Sequence, residues 1–134
     1  MDDVFVARIM SPDPTTVTED TLVEEAAATM LEAGIGSVLV VDDAGELRGI
    51  LTSTDFVRIV AEHDPKDQTP VGDYMSTELV TTSAQDNIHD AADMMIENDL
   101  HHLPVVDEDA GLIGIITTTD LAAYVSDTVA PSPP

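Results

Sequence analysis

Hydrophobic residues form a pair of continuous apolar segments joined by a short turn, and this arrangement occurs twice along the chain. The first pair is "SVLVVD" and "LRGILT", with "DDAG" as the turn. Continuous apolar strands are usually covered on both faces, so each pair predicts two buried strands joined by a turn. In the second copy the strands are expected at Leu103–Val106 and Leu112–Thr117.

Helical periodicity flanks each strand pair. Ahead of the first pair, apolar residues recur at i, i+3, i+4, i+7 and i+8, which indicates an amphipathic helix; they are Val23, Ala26, Ala27, Met30 and Leu31. Thr21 and Glu24 have the spacing of a capping box, so we expect the helix to open there, and Gly34 with Gly36 to end it.

A second, shorter helix is predicted after each strand pair. Ser53, Thr54 or Asp55 is expected to cap the first one, which runs to about Ala61. A short extended segment at residues 15–18 precedes the whole unit. The second copy repeats the order, with an extended segment near Thr81, a helix from residue 88 to residue 97 and a closing helix from residue 120.

The two copies match without a gap when the chain is shifted by 65 positions. "GILTSTD" at residues 49–55 falls on "GIITTTD" at residues 114–120, and "VVD" at residues 40–42 falls on "VVD" at residues 105–107. An internal repeat of this length decides the fold class. We therefore predict an α+β fold of two β-α-β-β-α repeats, packed through their sheets with pseudo-two-fold symmetry.

The repeats suggest domain boundaries. We expect repeat 1 at residues 1–62, a polar linker with two prolines at residues 63–70, repeat 2 at residues 71–128 and a disordered tail at residues 129–134. The start of the chain has no basic region followed by a long apolar run, so it does not resemble a signal peptide. With no apolar run of about 18 residues, the sequence predicts a soluble cytoplasmic protein.

Charge is the extreme feature of the composition. The 134 residues carry 27 acidic and four basic side chains, for a net charge of −23, together with 43% hydrophobic residues and no cysteine. The charge argues against nucleic acid and anionic membrane as partners, because both require clustered Lys and Arg. A folded core under an acidic shell is typical of proteins from salt-in halophiles, where molar salt screens the repulsion.

The duplicated units resemble a pair of CBS (cystathionine β-synthase) domains, a Bateman module, over residues 6–125. The "VVD" strand, the Gly turn and the Gly-hydrophobic-hydrophobic-Thr-x-Thr-Asp ending carry the resemblance. It implies a regulatory, non-catalytic module that binds adenosine-type ligands in clefts between the repeats: AMP, ADP or ATP, S-adenosylmethionine or related compounds. It also implies a homodimer and a regulated partner protein. The alternative is a ligand-free protein-interaction or dimerisation module.

The resemblance assigns ligand-binding residues to both copies. It places ribose and phosphate at Thr52 with Asp55 and at Thr117 with Asp120, and it implies that extended segments cross over to wall the opposite repeat's cleft. The full set is Thr16, Val17, Ile50, Thr52, Thr54, Asp55, Arg58, Thr81, Thr82, His101, Ile115, Thr117, Thr119 and Asp120. In this set Ile50 and Ile115 offer backbone groups to the base, and Arg58 either reaches a phosphate or pairs with an acidic neighbour.

The Thr-Asp motifs also have a simpler interpretation, because Thr-Asp before a short apolar run is a common helix N-cap. His101 stands where relatives place a phosphate-contacting histidine, whereas the first copy has Gly36, so the Asp120 cleft is expected to prefer a phosphorylated ligand. His102 is expected to be a solvated or strand-edge side chain, His63 and His89 are expected to be solvated, and no metal site or certain cofactor is predicted. The net charge of −23 opposes the binding of a polyphosphate. It therefore favours adenosine, S-adenosylmethionine and thioethers as ligands.

Overall fold

A computed structural model describes residues 4–62 and 68–129 of the chain. The first repeat contains β2 (Thr16–Val17), α2 (Val23–Ala33), β3 (Ser37–Val41), β4 (Leu47–Thr52) and α3 (Ser53–Glu62). The second contains β5 (Thr82–Ser83), α4 (Ile88–Asn98), β6 (His102–Asp107), β7 (Gly111–Thr117) and α5 (Thr118–Val129). The predicted β-α-β-β-α order is confirmed in both copies.

Short elements precede the β-α-β-β-α body of each repeat. Ahead of the first are α1 (Val6–Ile9) and β1 (Ser11–Pro12), and ahead of the second is a single 3₁₀ turn at Val71–Asp73. The predicted linker at residues 63–70 and the tail at 129–134 fall largely outside the described residues. Within the linker, Thr69 is buried, and its carbonyl accepts a hydrogen bond of 2.8 Å from the N–H of Val23.

The chain divides into two compact units that do not coincide with the repeats. One unit is the continuous stretch Pro14–Leu79, and the other combines residues up to Asp13 with residues from Val80 onward. Each unit therefore contains the body of one repeat and the short segment that precedes the other repeat. The repeat boundaries at residues 62 and 71 stay a prediction about the sequence.

The continuous unit contains a three-stranded sheet in the order β2-β3-β4. β2 is parallel to β3, β3 is antiparallel to β4, and a bulge lies between Val40 and Val41. Its core is mainly aliphatic, with one buried aromatic side chain, Tyr74, and with the half-buried Phe56 packed against it; the buried members are Val23, Ala26, Met30, Val38, Val40, Leu51, Ile59, Val71 and Tyr74.

The discontinuous unit contains a four-stranded sheet in the order β1-β7-β6-β5. The extra strand β1 pairs with β7, with Ser11 opposite Ile115. The bulge between Val105 and Val106 repeats the first bulge 65 positions later. Its buried core members are Val4, Val6, Ala84, Ile88, Ala91, Met95, Leu103, Val105 and Ile116.

Helix starts differ from the sequence prediction in one respect. The predicted capping box of Thr21 and Glu24 is wrong: the N-cap of α2 is Leu22, which has no side-chain capping bond. Thr21 instead accepts a hydrogen bond from the N–H of Thr18 at 3.2 Å, so its hydroxyl closes the preceding turn. The predicted stop is confirmed at Gly34, which adopts φ of 67° as the C-cap.

Glycine at the start of the repeated phrase lets another segment pass close to the sheet. A Cβ on Gly49 would lie 2.7 Å from Sδ of Met75 and 2.9 Å from the carbonyl oxygen of Ser76. A Cβ on Gly114 would meet Met10 and Ser11 in the same way, at 2.8 and 2.9 Å. The segment that precedes one repeat thus crosses the body of the other at an obligatory glycine.

Candidate functional site

The end of the repeated phrase forms a strand-to-helix turn in each unit, here called the Asp55 turn (Thr52–Asp55) and the Asp120 turn (Thr117–Asp120). In both, the Thr is the last strand residue and the helix begins at the next position. Because the free N–H groups of a helix start are electropositive, each turn presents donors beside a fixed carboxylate.

At the Asp55 turn, both carboxylate oxygens of Asp55 are engaged. The N–H of Thr52 donates to Oδ2 at 2.8 Å, and the hydroxyl of Thr52 lies 3.4 Å from the same oxygen. Oδ1 lies 3.5 Å from Nη1 of Arg58, one helical turn along α3. Asp55 is buried, so its charge depends on these partners in place of water.

At the Asp120 turn, Thr and Asp form a reciprocal capping box. The N–H of Thr117 donates to Oδ2 of Asp120 at 2.9 Å, and the N–H of Asp120 donates to the hydroxyl of Thr117 at 3.2 Å. Oδ1 of Asp120 has no hydrogen-bond or ion-pair partner among residues 4–62 and 68–129. The helix-cap interpretation therefore accounts for one carboxylate oxygen and leaves the other available.

Arg58 pairs with an acidic neighbour, as one of its two predicted roles required. Its guanidinium also lies over the ring of Tyr74, 5.5 Å from the centroid. Tyr74 in turn donates a short hydrogen bond to the carboxylate of Glu62. In the other unit the guanidinium of Arg8 lies 6.0 Å from the ring centroid of Tyr124. Each unit contains a short segment that precedes the body of the other repeat, here called the exchanged segment (residues 4–12 or 69–76). An Arg–Tyr stack joins this segment to the closing helix of the unit.

His102, predicted to be a solvated or strand-edge side chain, is the first residue of β6 and is half-buried beside the Asp120 turn. It stands opposite Thr117 in the β6–β7 pair, and its Nδ1 is buried without a hydrogen-bond partner in the described part of the chain. Burial lowers the pKa of His102, His101 lowers it further, and the carboxylate of Asp120 partly offsets both effects. The ring is therefore mainly neutral at pH 7.

His101 is exposed and makes no hydrogen bond with Asp120 among the described contacts. It lines an apolar cavity of about 430 Å³ within the discontinuous unit; the other lining residues are Ala92, Met95, Ile96, Asp99, Leu100, Thr118 and Leu121. Predicted as solvated, His89 is indeed exposed at the start of α4, where its N–H donates to the side chain of Asn87, while His63 lies outside the described residues.

The backbone groups of Ile50 and Ile115, which the resemblance assigned to the base of the ligand, already pair with other backbone groups of the protein. The N–H of Ile50 donates to the carbonyl of Ser76 at 3.1 Å, and the carbonyl of Ile50 accepts from the N–H of Ser76 at 2.9 Å. Ile115 is paired with Ser11 in the corresponding place. The exchanged segments therefore occupy the strand edges at these two positions.

The extended segments pair within their own repeats, and their predicted crossover to the opposite repeat's cleft stays a prediction. Thr16 and Val17 pair with β3 of their own repeat, and Thr82 pairs with β6 of its own repeat. The hydroxyl of Thr82 is buried and donates to Asp86 at 2.7 Å, while Thr81 is half-buried. The segments that cross are the earlier ones, at residues 4–12 and 69–76.

The two remaining predicted threonines lie in the first turns of the closing helices. Thr54 and Thr119 are both exposed, at equivalent positions one residue before the aspartate. Sequence reasoning missed Ser37, which is buried opposite Thr52 as His102 is opposite Thr117. Equivalence under the shift of 65 was the signal that pairs Ser37 with His102.

The "VVD" aspartates close the hairpins and do not belong to the turns. Oδ1 of Asp42 accepts from the N–H groups of Ala44 and Glu46, both at 2.9 Å, and these bonds with Arg48 lower the pKa of Asp42. Asp107 accepts from Asp109 and Ala110 in the same way. Among the described residues no group of three or more His, Asp or Glu side chains is arranged to hold a metal ion.

The fold and the two matched turns define a duplicated α+β module with a carboxylate at each helix start. Residues 6–62 and 71–127 each match the model of the CBS domain, so the chain belongs to the CBS domain family. It is 34% identical over 117 residues to the CBS domain-containing protein YhcV of Bacillus subtilis, covering 87% of this chain and 82% of that protein.

Solved CBS structures share the fold. The CBS domain pair of protein MJ0100, in complex with 5′-methylthioadenosine and S-adenosyl-L-methionine, matches with a TM-score of 0.83 at 26% identity, over 90% of this chain and 98% of that one. CBSX2 in complex with AMP matches with a TM-score of 0.78 at 25% identity, over 92% and 97%.

Some relatives are named as enzymes, but the match to them is partial. Homoserine O-acetyltransferase of Methanosalsum zhilinae is 33% identical over 95% of this chain, yet the matched region spans 25% of that protein. Their name therefore says nothing about this chain's activity. Within residues 4–62 and 68–129, no helix is long and apolar enough to cross a membrane.

Proposed function

We propose that this protein is a regulatory module that senses an adenosine-type ligand at the Asp55 and Asp120 turns. A carboxylate oxygen is an acceptor for ribose hydroxyls, as in dinucleotide-binding folds, and Oδ1 of Asp120 is available for this role. The neighbouring Thr hydroxyls and the free N–H groups of the helix starts suit ribose and phosphate oxygens. The bound adenosine compounds of the two solved relatives support this ligand class.

The observation that carries the proposal is the unpartnered Nδ1 of His102. Buried polar atoms in native proteins nearly always have a hydrogen-bond partner, so a buried atom without one requires an explanation. This atom belongs to a residue that faces Thr117 and feels the charge of Asp120. A polar ligand at the Asp120 turn supplies the missing partner.

The charge of the protein ranks the ligands within this class. AMP, ADP, ATP, S-adenosylmethionine and its thioether relatives all share the adenosine group, but each added phosphate is opposed by the net charge of −23. Near-neutral or cationic adenosine compounds are therefore favoured at low salt. Polyphosphates become competitive only when salt or Mg²⁺ screens the field.

Isothermal titration calorimetry of Asp120→Asn tests the proposal. The carbonyl oxygen of Asn still accepts the N–H of Thr117, so the helix cap is kept, but the amide NH2 group that replaces Oδ1 cannot accept from a ribose hydroxyl. Loss of a charge-assisted hydrogen bond costs about 1.5–3 kcal/mol, so adenosine affinity at one site should fall roughly tenfold to a hundredfold. Asp107→Asn, which makes the same charge change on a hairpin turn, should bind as the wild type does.

The second candidate function is a protein-interaction module without a ligand. It is favoured by the capping bonds at both turns, which give Thr and Asp a structural role on their own. The result that decides for it is a wild-type protein that binds none of the adenosine compounds, whereas Asp120→Asn binding them as tightly as wild type would mean that the Asp120 turn is only a helix cap. Mass spectrometry of small molecules released from protein purified in high salt distinguishes the two functions independently.

We further propose that two copies of the chain associate through their helices. Leu31 on α2 is 84% exposed and Ile96 on α4 is 79% exposed, and the two are equivalent under the shift of 65. Val60 and Val125 form a second exposed, equivalent pair on α3 and α5. Exposed large apolar residues at matched positions suit an isologous contact with a second copy.

Three further proposals rest on the sequence. The protein belongs to a salt-in halophile, it acts in the cytoplasm, and the ligand state is passed to a regulated partner protein. Its acidic composition supports the first of these, because molar salt offsets the self-repulsion of 27 acidic side chains.

A further inference from the structure

The two turns differ in one cation. Arg58 lies one helical turn after Asp55, and the equivalent position after Asp120 is Ala123. The guanidinium of Arg58 is held by Oδ1 of Asp55 at 3.5 Å and by the ring of Tyr74, yet its side chain remains 55% exposed. It is therefore positioned at the turn with donors still facing solvent.

This difference gives the turns different local charge: the Asp55 turn is close to neutral, whereas the Asp120 turn is negative. Arg58 compensates the carboxylate of Asp55. The carboxylate of Asp120 has no cation beside it in the described structure, and burial keeps the nearby His102 mainly neutral at pH 7. Arg8, the arginine of that unit, lies over the ring of Tyr124 and makes no ion pair with Asp120 among the described contacts.

We propose that Arg58 sets the charge of the ligand that each turn accepts. The Asp55 turn takes a phosphorylated adenosine such as AMP, with Arg58 donating to the phosphate, because a guanidinium fork binds phosphate through two parallel hydrogen bonds. The Asp120 turn takes an adenosine derivative without negative charge, such as a thioether or a sulfonium. This inference rests on the proposed function and reverses the preference that His101 suggested from the sequence.

Calorimetric titrations at one fixed KCl concentration, with adenosine, AMP and S-adenosylmethionine as probes, test the assignment. In wild type we expect AMP to favour the Asp55 turn by at least tenfold over the Asp120 turn, with the turns distinguished by Asp55→Asn and Asp120→Asn. Arg58→Ala should weaken AMP at its turn by tenfold or more while adenosine changes less than threefold. Arg58→Lys, which keeps the charge but not the fork, should lie between the two.

A transplanted arginine gives the complementary test without removing any native contact. Ala123→Arg should strengthen AMP and weaken S-adenosylmethionine at the Asp120 turn, each by several-fold. Arg48→Ala is the matched control, since it removes one positive charge from a half-exposed ion pair with Asp42 on a hairpin turn. It should leave the ratio of AMP to S-adenosylmethionine affinity unchanged at both turns.

The possible failures are distinguishable. If both turns bind adenosine compounds but Arg58→Ala and Ala123→Arg leave the AMP to S-adenosylmethionine ratio as in wild type, the charge assignment is wrong and the proposed function stands. If Arg48→Ala changes that ratio as much as Arg58→Ala does, the effect is one of net charge and the assignment is again wrong. If wild type binds none of the three probes, both the proposed function and the assignment are wrong.

Discussion

His102 and Ser37 occupy equivalent positions in the two repeats, but their side chains are buried to different extents. The serine is small and buried in the continuous unit, whereas the imidazole is half-buried with one nitrogen unpartnered. Because the pKa of His102 is lowered in the folded state, the folded protein binds a proton less readily than the unfolded chain. Acidification therefore favours unfolding at this position.

The first prediction concerns this histidine. Above the unfolded pKa of about 6.5 both states hold a neutral ring, so His102 contributes no pH dependence there. As pH falls from about 6.5 through the lowered folded pKa, wild type should become less stable. The variant His102→Ser, which carries the serine found at the equivalent position of the first repeat, should keep this part of the stability. Urea unfolding at pH 7.5 and 5.0 measures the difference.

His89→Ser is the control for that measurement, since the side chain of His89 is exposed and is not among the groups that shift the pKa of His102. It should leave the drop between the two pH values close to that of wild type. Equal drops in wild type and His102→Ser would contradict the prediction and assign the acid sensitivity to other groups, among them the carboxylates whose pKa is lowered by turn hydrogen bonds.

At the scale of elements, strand and helix order followed from apolar periodicity, because both strands of each hairpin are buried and both main helices carry an apolar stripe. The position of the aspartates at helix starts was equally accessible, since capping depends on residues three apart. What the sequence did not supply was the partner of each short segment. Residues 4–12 and 69–76 have no periodicity of their own, and their docking depends on the other repeat.

Matched close contacts were hidden for the same reason. Gly49 and Gly114 were visible as repeated glycines, but Met75 and Met10, which press against them, gave no signal as partners. Nor did the sequence show that both backbone groups of Ile50 form hydrogen bonds with Ser76. Long-range pairing of this kind appears only once the chain is folded.

The second prediction tests the docking of an exchanged segment. In Gly114→Ala the new methyl would overlap Sδ of Met10 and the carbonyl of Ser11, and the backbone atom cannot move without disturbing the β1–β7 pair. Overpacking of this kind costs on the order of 1–3 kcal/mol. The urea midpoint should fall accordingly, at fixed KCl and unchanged pH.

Thr119→Ala serves as the control, because Thr119 is exposed on α5 of the same unit and surface changes are usually within about 0.5 kcal/mol. A midpoint for Gly114→Ala equal to that of Thr119→Ala would mean that the segment does not dock at this glycine.

At the scale of the whole molecule, the net charge of −23 opposes compaction. The third prediction is that the melting temperature rises steadily from 0.1 M to molar KCl, because the screening length shortens from about 10 Å to about 3 Å. Differential scanning calorimetry in KCl, with sucrose as an uncharged control, separates screening from general solute exclusion. A flat or falling curve in KCl contradicts the halophile proposal.

The fourth prediction concerns association. Light scattering in high salt should give the mass of two chains at tens of micromolar, and the double variant Leu31→Asp with Ile96→Asp should shift it to one. Ala44→Asp, on the exposed β3–β4 turn, adds a negative charge away from the helices and should leave the dimer intact. A wild-type monomer at this concentration contradicts the dimer proposal.

The exchange of segments also imposes an order in time. The unit Pro14–Leu79 is continuous, so it can be completed while the rest of the chain is still being synthesised. The other unit needs both ends of the chain. At roughly 5–20 residues per second, the segment that contains Val4, Val6 and β1 emerges on the order of ten seconds before β7, with which β1 pairs. The segment at residues 4–12 is thus synthesised well before its partner strand, and during that interval its exposed apolar side chains are open to binding by chaperones or by other nascent chains.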